Sequence, residues 1–449
     1  MTTYLWRGCL AGTLALSVAA FIPPGARFAN DAGRKKNAAL SKETGRAKNA
    51  VLSKETSSAK DAALATSSPH RSPAPAGPGP GAAKKKYVVI GYVSGYSGRV
   101  LTDPIDAGRL THINYSFVDI RDGRAWLRHE ASDTVNLRML VGLKTQNPAL
   151  KILISIGGWS WSKGFSDAVL TDSSRAVFAS SAIGIVATYQ LDGVDIDWEF
   201  PGQIGDGNAF RPEDKQNYTL LFKKLREGLD SLGKTRGRAK RYFISTAVGA
   251  NQRFLDHTDM GEAARYLDFV NIMSYDFREN DNSPSGHHTN LYPSKETQDP
   301  NQGSVDRAVH EFEAAGVPAS KLVVGIGFYA HVWSMKTTEN HGLYRDANPP
   351  PRDGVFHEAM DGAGGYTYIK DSLVNKNGFV RYWDKDAHAP YLFNADRKIF
   401  LSYDDEESVT DKCKYVEENR LAGVMFWDYE SDRKGYLLHA ISEEFGYGN

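Results

Sequence analysis

Hydrophobic residues follow two alternating patterns along the chain after Lys86. Short apolar runs of strand length are followed by longer segments in which apolar positions recur at helical intervals. This alternation is typical of a parallel sheet whose strands are joined by helices. The runs that predict strands are Tyr87 to Val93, Thr111 to Val118, Leu150 to Ile156, Leu191 to Asp197, Tyr242 to Val248, Tyr266 to Met273, Leu322 to Phe328 and Leu421 to Trp427.

Two segments between these strands carry clear helix signals. Apolar residues from Tyr218 to Leu229 keep to one helix face, and Gly233 is placed to end that helix. A second helix is predicted to begin at Ser304, a residue type that favours helix starts, and to stop at Gly316 before Pro318. Eight strands with such connections predict an α/β fold, a (β/α)₈ TIM barrel over 87–449. A doubly wound open sheet is the alternative, but no Gly-rich phosphate-binding sequence supports it.

The region 87–449 is longer than a typical barrel of about 250 residues, which indicates an insertion. The long gap between the seventh and eighth predicted strands is rich in Gly, Tyr and Trp. We therefore predict a small α+β insertion domain over 334–395, beside the mouth of the barrel.

The chain before Tyr87 has a different composition. Arg7 precedes an apolar run from Leu10 to Ile22, which is short for a membrane span and suits a signal peptide over 1–29. Residues 30–86 are rich in Ala, Ser, Lys, Gly and Pro and contain a tandem 12-residue repeat, so we expect a disordered linker. These features predict a secreted protein, extracellular or periplasmic. Tethering to the cell envelope through an uncleaved signal anchor is the alternative, and no other membrane contact is expected.

The charge balance argues against an electrostatic partner. Lys and Arg together number 54, as do Asp and Glu, so the sequence does not predict nucleic-acid binding. Cys9 lies in the predicted signal peptide and leaves Cys413 alone, so we expect no intramolecular disulfide in the mature chain. We expect a monomer with an uncharged substrate and no cofactor.

The fourth predicted strand carries an unusual set of acidic side chains. Because side chains two residues apart share a strand face, Asp195, Asp197 and Glu199 should project together. Asp192 has the opposite parity, and we assign it a structural role. Buried carboxyls in register must share protons, which raises pKa values and suits acid catalysis. Glu199 follows the strand at the end where barrel active sites lie, so it is the expected proton donor.

A divalent-metal site on the same acids is an alternative, because Asp-x-Asp-x-Glu offers oxygen ligands. The sequence shows no nearby His cluster or phosphate loop in its favour, so we expect no metal. Activity should then survive EDTA. Aromatic residues at several strand ends, among them Trp159, Trp161, Tyr275 and Trp427, instead predict stacking on the rings of neutral sugars.

From Lys86 to Gly446 the chain resembles the family 18 glycoside hydrolases, the chitinase group. The resemblance rests on the specific motif Asp-x-x-Asp-x-Asp-x-Glu, which is complete from Asp192 to Glu199. Further matching segments are Ser155-Ile-Gly-Gly158, Met273-Ser-Tyr-Asp276, the strand of Trp427 and the insertion before it.

The resemblance implies a chitinase that hydrolyses β-1,4-linked N-acetylglucosamine polymers with retention, the substrate's own acetamido group acting as nucleophile. It implies that Glu199 is the acid and later the base. Asp197, helped by Tyr275, would orient the acetamido group, and Asp195 would exchange a proton with Asp197.

The same resemblance implies that Asp276 binds the sugar, that Trp427 forms the pocket floor, and that Tyr92 and Ser155 support Asp195. The expected substrate-binding residues are Tyr92, Phe117, Ser155, Gly158, Trp159, Met273, Asp276 and Trp427. Chitin or a related polysaccharide is the expected partner.

Two alternatives share this motif. The first is an endo-β-N-acetylglucosaminidase that acts on N-glycans or peptidoglycan. The second is a chitin-binding lectin without catalysis, which usually lacks the acid that Glu199 provides here.

Overall fold

The computed structural model describes residues 87–96, 98–101, 105–237, 241–279, 283–349 and 365–447. The predicted signal peptide over 1–29 and the predicted linker over 30–86 lie outside the described residues. Within the described ranges, no helix is long and apolar enough to cross a membrane.

Parallel strands close into a barrel. Strand pairing runs in the order β1, β13, β8, β7, β6, β5, β4 and β2, and β2 pairs again with β1. The predicted (β/α)₈ barrel is therefore confirmed, and β3 is a short antiparallel addition to β2. The strands are β1 (Val88–Ser94), β2 (His112–Arg121), β3 (Arg124–Trp126), β4 (Lys151–Gly157), β5 (Gly193–Asp197), β6 (Phe243–Gly249), β7 (Phe269–Met273), β8 (Leu322–Gly327), β9 (His331–Ser334), β10 (Phe379–Asp384), β11 (Ala389–Asn394), β12 (Ile399–Ser402) and β13 (Gly423–Trp427).

Helices follow most of the barrel strands. They are α1 (Glu130–Gly142), α2 (Phe165–Ala168), α3 (Asp172–Tyr189), α4 (Asp214–Thr235), α5 (Gln252–Asp256), α6 (Met260–Ala263), α7 (Val305–Ala314), α8 (Gly365–Tyr368), α9 (Glu406–Glu418) and α10 (Tyr436–Phe445). The main apolar core lies between these helices and the barrel, because alternate residues of each strand face outward.

The predicted start of α7 is confirmed and the predicted end of α4 is wrong. The Ser304 side chain accepts a hydrogen bond from the backbone N–H of Arg307 and caps α7. In α4 the helix continues through the buried Gly233 to Thr235. The left-handed conformation that often follows a helix end is taken by Gly237, with φ of +59°.

Strand β5 shows how parity separates the core from the barrel interior. Val194, Ile196 and Trp198 are fully buried in the outer core, where the Trp198 ring stacks on Phe165 at 5.1 Å between centroids. Burying an aromatic side chain of this size contributes about 1.5–3 kcal/mol. These outward residues fix the strand register and thereby turn Asp195 and Asp197 inward.

A four-stranded antiparallel sheet, in the order β10, β11, β12 and β9, lies between β8 and β13 in the chain. It encloses its own apolar cluster, in which Trp333 of β9 is paired with Phe400 of β12. The sheet therefore extends beyond the predicted insertion 334–395 on both sides, from His331 to Ser402. That this region forms a domain of its own stays a prediction.

Candidate active site

A cleft of about 960 Å³ opens at the carboxyl ends of the barrel strands. The sequence-predicted residues that line it are Tyr92, Phe117, Gly158, Trp159, Trp161, Asp197, Glu199, Met273, Tyr275, Asp276 and Trp427. Three further predicted residues, Asp192, Asp195 and Ser155, are buried behind its walls.

Asp195 is held by donors from four strands. Its Oδ2 accepts hydrogen bonds from Tyr92 Oη at 3.0 Å and Ser155 Oγ at 2.7 Å. Its Oδ1 accepts from Ser245 Oγ at 2.6 Å and Asn271 Nδ2 at 3.3 Å. Burial raises the pKa of Asp195, and the serine and tyrosine donors oppose that rise. The carboxyl is fixed in position, so it can act on its neighbour Asp197 and has no direct access to the cleft.

Asp197 retains an open hydrogen-bonding position. Its Oδ1 is buried and has no hydrogen-bond partner among the described residues. The backbone at this point is fixed by Ser162, whose Oγ donates to Asp197 O at 3.0 Å and accepts from Glu199 N at 2.9 Å. A buried acceptor without a donor is costly, so a substrate N–H placed here would be stabilising.

The electrostatics of the cleft favour protonated acids. Burial, the charge of Glu199 and the charge of Asp195 hold the pKa of Asp197 well above its usual range. Burial and the charge of Asp276 raise the pKa of Glu199 to about 8. Glu199 is therefore protonated at neutral pH and can serve as a general acid.

Asp192 lies apart from these residues. Its Oδ2 accepts hydrogen bonds from Lys144 Nζ at 2.5 Å and from the backbone N–H of Ile152 at 2.9 Å. These contacts join the start of β5 to β4 and to the segment after α1, outside the barrel interior. Asp192 needs these partners outside the barrel interior, which is why its side chain lies on the other strand face from Asp195 and Asp197.

Asp276 follows β7 and projects into the cleft with φ of +59°. Its Oδ1 accepts hydrogen bonds from Tyr329 Oη at 2.6 Å and His331 Nε2 at 2.7 Å. Burial alone would raise the pKa of Asp276, but His288 and His331 outweigh it and hold the pKa well below its usual range. The residue is an ionised acceptor on the cleft wall.

Aromatic rings form one end of the cleft floor. Trp427 stacks on Phe117 with 5.3 Å between ring centroids and an interplanar angle of 17°. The Tyr92 ring lies beside the same indole, with 5.8 Å between ring centroids. Trp159 is 54% exposed, which leaves a large apolar face open to a ligand. Flat exposed faces of this kind bind the apolar faces of sugar rings.

Several residues of the site escaped the sequence reasoning. Polar residues inside buried strands were the available signal for some of them, because a buried hydroxyl or amide needs a partner. No local signal marked those that reach the site from connecting segments. The residues concerned are Ser162, Ser245, Asn271, His288, Tyr329 and His331.

The expectation that no histidine cluster lies near the acids was wrong. Asp276, His288 and His331 each offer a possible metal-ligating atom, and these atoms lie within 4.8 Å of one another. The three residues are separated in the chain by 12 or more positions, so no short motif reveals them. Among the described residues, no other group of three such side chains brings its possible ligand atoms this close together.

Comparison with known proteins identifies the family of this chain. The model of the family described as "Glycosyl hydrolases family 18" matches residues 88–432. Chitinase A1 of Niallia circulans is 34% identical over 427 residues, which are 83% of this chain and 60% of that protein. The chain therefore spans about three fifths of that relative's length.

Solved structures give the same result. A family 18 N-acetylglucosaminidase from Paenibacillus barengoltzii is 42% identical with a TM-score of 0.70, and the match covers 80% of this chain and 99% of that one. Chitinase ChiA74 from Bacillus thuringiensis is 32% identical with a TM-score of 0.73, and the match covers 80% and 70%.

Proposed function

Because the chain belongs to family 18 of the glycosyl hydrolases, we propose that it is a chitinase, which hydrolyses β-1,4-linked N-acetylglucosamine polymers. The observation that carries the proposal is the pairing of two acids in the cleft. Glu199, with its raised pKa, can give a proton, and Asp197 beside it has a buried oxygen without a donor. This pair suits a substrate whose own acetamido group takes part in the reaction.

Glu199 protonates the glycosidic oxygen, and the bond from that oxygen to the anomeric carbon breaks. The carbonyl oxygen of the substrate's acetamido group bonds to the anomeric carbon on the opposite face, which forms an oxazolinium-like intermediate. The Glu199 carboxylate then takes a proton from water, and this water attacks the anomeric carbon and reopens the ring. Two displacements at one carbon give retention.

When its proton moves to Asp195, Asp197 becomes a carboxylate that accepts a hydrogen bond from the acetamido N–H and balances the positive charge of the intermediate. Tyr275 lines the same wall, and burial with the charges of Asp276 and Asp197 holds its pKa well above the usual range. Its phenol therefore stays protonated and donates a hydrogen bond to the acetamido oxygen. Asp195, held by its four donors, fixes Asp197 and exchanges a proton with it.

The remaining predicted contacts surround the sugar. Trp427 and Phe117 form a stacked floor, and Trp159 offers an exposed face along the cleft. Asp276 accepts from a sugar hydroxyl or amide on the opposite wall. Gly158 allows the ring of Phe117 to lie close to the backbone, because a Cβ at this position would be 2.7 Å from that ring.

The substitution Glu199→Gln tests the acid. Gln has nearly the same shape and cannot donate an acidic proton, so release of chito-oligosaccharides from colloidal chitin should fall by at least about a hundredfold. Glu227→Gln, an exposed change on α4, should keep full activity. Unchanged turnover in Glu199→Gln would remove Glu199 from its role. Retained chitin binding without any product from the native chain would favour a lectin.

A second candidate is an N-acetylglucosaminidase that removes single sugars. The similarity to the Paenibacillus barengoltzii enzyme, which extends over 99% of that chain, favours it. Mass analysis of the products from an N-acetylglucosamine hexamer separates the two. Dimers and trimers at early times indicate a chitinase, and monomer with pentamer indicates the second candidate. A high-mannose glycopeptide tests the endo-acting alternative on glycans.

The enzyme is proposed to act outside the cytoplasm, as a monomer. Arg7 followed by the apolar run from Leu10 to Ile22 supports export. Detection of the processed protein in culture medium, against retention in the membrane fraction, separates secretion from tethering.

A further inference from the structure

Asp276, His288 and His331 form a compact set of donors at one wall of the cleft, which we call the Asp–His–His cluster. Asp276 Oδ1 lies 2.7 Å from His331 Nε2 and 3.7 Å from His288 Nδ1. Two ligands of one tetrahedral Zn²⁺ lie about 3.4 Å apart, given metal–ligand bonds of about 2.1 Å. The observed separations fall on either side of that value, so small side-chain shifts suffice to share one ion.

His288 supplies an independent sign of an incomplete site. The side chain is fully buried, and neither ring nitrogen has a hydrogen-bond partner among the described residues. His331 Nδ1 is likewise buried without a partner. A buried imidazole that lacks both of its hydrogen bonds is unusual, because each unpaired polar atom has lost its contacts with water and gained nothing in return. A bound ion at Nδ1 of His288 would offset part of that loss.

The donor set indicates which ion is suitable. Two imidazole nitrogens and one carboxylate oxygen favour Zn²⁺ or Cu²⁺, whereas Mg²⁺ and Ca²⁺ prefer oxygen ligands alone. Asp276 and His331 also line the cleft, so an ion can enter from solvent and keep one position for water. From this geometry we propose that the Asp–His–His cluster is a binding site for a divalent transition-metal ion, with Zn²⁺ as the probe, and that the bound ion inhibits the enzyme.

Inhibition follows from the position of Asp276. Its side chain is 41% exposed to the cleft, so its oxygens are available either to a substrate or to an ion. An ion that occupies Oδ1 also displaces the Tyr329 hydroxyl and the His331 N–H from it. The inhibitory part of this inference rests on the proposed function. The binding part does not, because it can be measured without any substrate.

The test compares metal binding and activity in the full chain after EDTA treatment. Isothermal titration with Zn²⁺ and visible absorption with Co²⁺ report stoichiometry and nitrogen ligation. The native chain should bind one ion, and activity should fall as that site fills and return with EDTA. His288→Phe keeps an aromatic ring in the buried position and removes a ligand, so Zn²⁺ affinity should fall at least about tenfold.

His310→Gln is the matched control, since His310 is exposed on α7 and should leave binding and inhibition unchanged. If His288→Phe fails to fold in a urea titration, His331→Gln replaces it. Equal Zn²⁺ affinity in the native chain and the cluster variants would overturn the site. If one ion binds tightly and activity does not fall, the proposal of inhibition is overturned and the proposal of a metal site stands. Absence of hydrolysis both with Zn²⁺ and after EDTA treatment would count against the proposed function alone, whereas hydrolysis that requires the ion would overturn inhibition.

Discussion

Replacing Glu199 with Gln should stabilise the fold at neutral pH while it removes activity. The folded chain raises the pKa of Glu199 from 4.5 to about 8, chiefly through burial and then through the charge of Asp276. At pH values between 4.5 and about 8, Glu199 keeps its proton in the folded state and has lost it in the unfolded state. Folded chains then bind more protons, so the free energy of unfolding decreases as pH rises through this window.

The size of the effect follows from the same shift. Each pH unit inside the window lowers the free energy of unfolding by about 1.4 kcal/mol, which gives about 3 kcal/mol at about pH 7. Glu199 is partly open to the cleft, and solvent screening makes this an upper value. Below 4.5 the penalty is absent, and above about 8 it is constant. A Gln side chain does not titrate, so Glu199→Gln avoids the penalty altogether.

Urea unfolding of both proteins at about pH 4.5, 7 and 9 measures the effect. The stability of the variant relative to the native chain should increase by roughly 1–3 kcal/mol from the first pH to the second, increase further up to about pH 8 and stay constant above it. Other titrating groups cancel in this difference. A difference that stays constant with pH would refute the raised pKa and, with it, the account of Glu199 as a protonated acid.

Two further predictions concern buried contacts. Tyr92→Phe removes a hydrogen-bond donor to Asp195 and an acceptor for Asn271. The free energy of unfolding, measured in urea, should therefore fall by about 1–3 kcal/mol. In steady-state kinetics, kcat should fall by a larger factor than KM rises. Lys412→Met removes the buried ammonium that pairs with Asp404, while the hydroxyl donors Thr289 and Ser408 remain on that carboxyl. Urea unfolding should show a loss of about 3–5 kcal/mol, and adding Asp404→Leu should restore most of it; equal losses in both variants would contradict this.

The barrel could be predicted because its strands carry local patterns. Apolar runs with a period of two, such as Leu150 to Ile156, mark strands without any knowledge of their partners. The same period placed Asp195 and Asp197 on one face of β5. Helix ends were harder, because Gly233 and Gly237 look alike in sequence and only the conformation distinguishes them.

The partners of Asp195 depend on strand register, which local patterns do not encode. Ser155 of β4 and Ser245 of β6 are the direct neighbours of Asp195 in the two adjoining strand pairs. A shift of one residue in either pair would turn these hydroxyls away from the barrel interior. Ser155 was found only through the resemblance to family 18, and Ser245, without a matching motif, was missed.

The surroundings of Asp276 show why the antiparallel sheet begins before the predicted insertion boundary at 334. His331 is the first residue of β9, pairs with Ser402 of β12, and donates to Asp276. The antiparallel sheet is thus joined to the cleft wall by its first residue, so its placement and the orientation of Asp276 depend on each other. A composition rich in Gly, Tyr and Trp marks where such a sheet lies, but it carries no information about which of its residues reaches back to the barrel. That information exists only in the contact between two segments 55 residues apart.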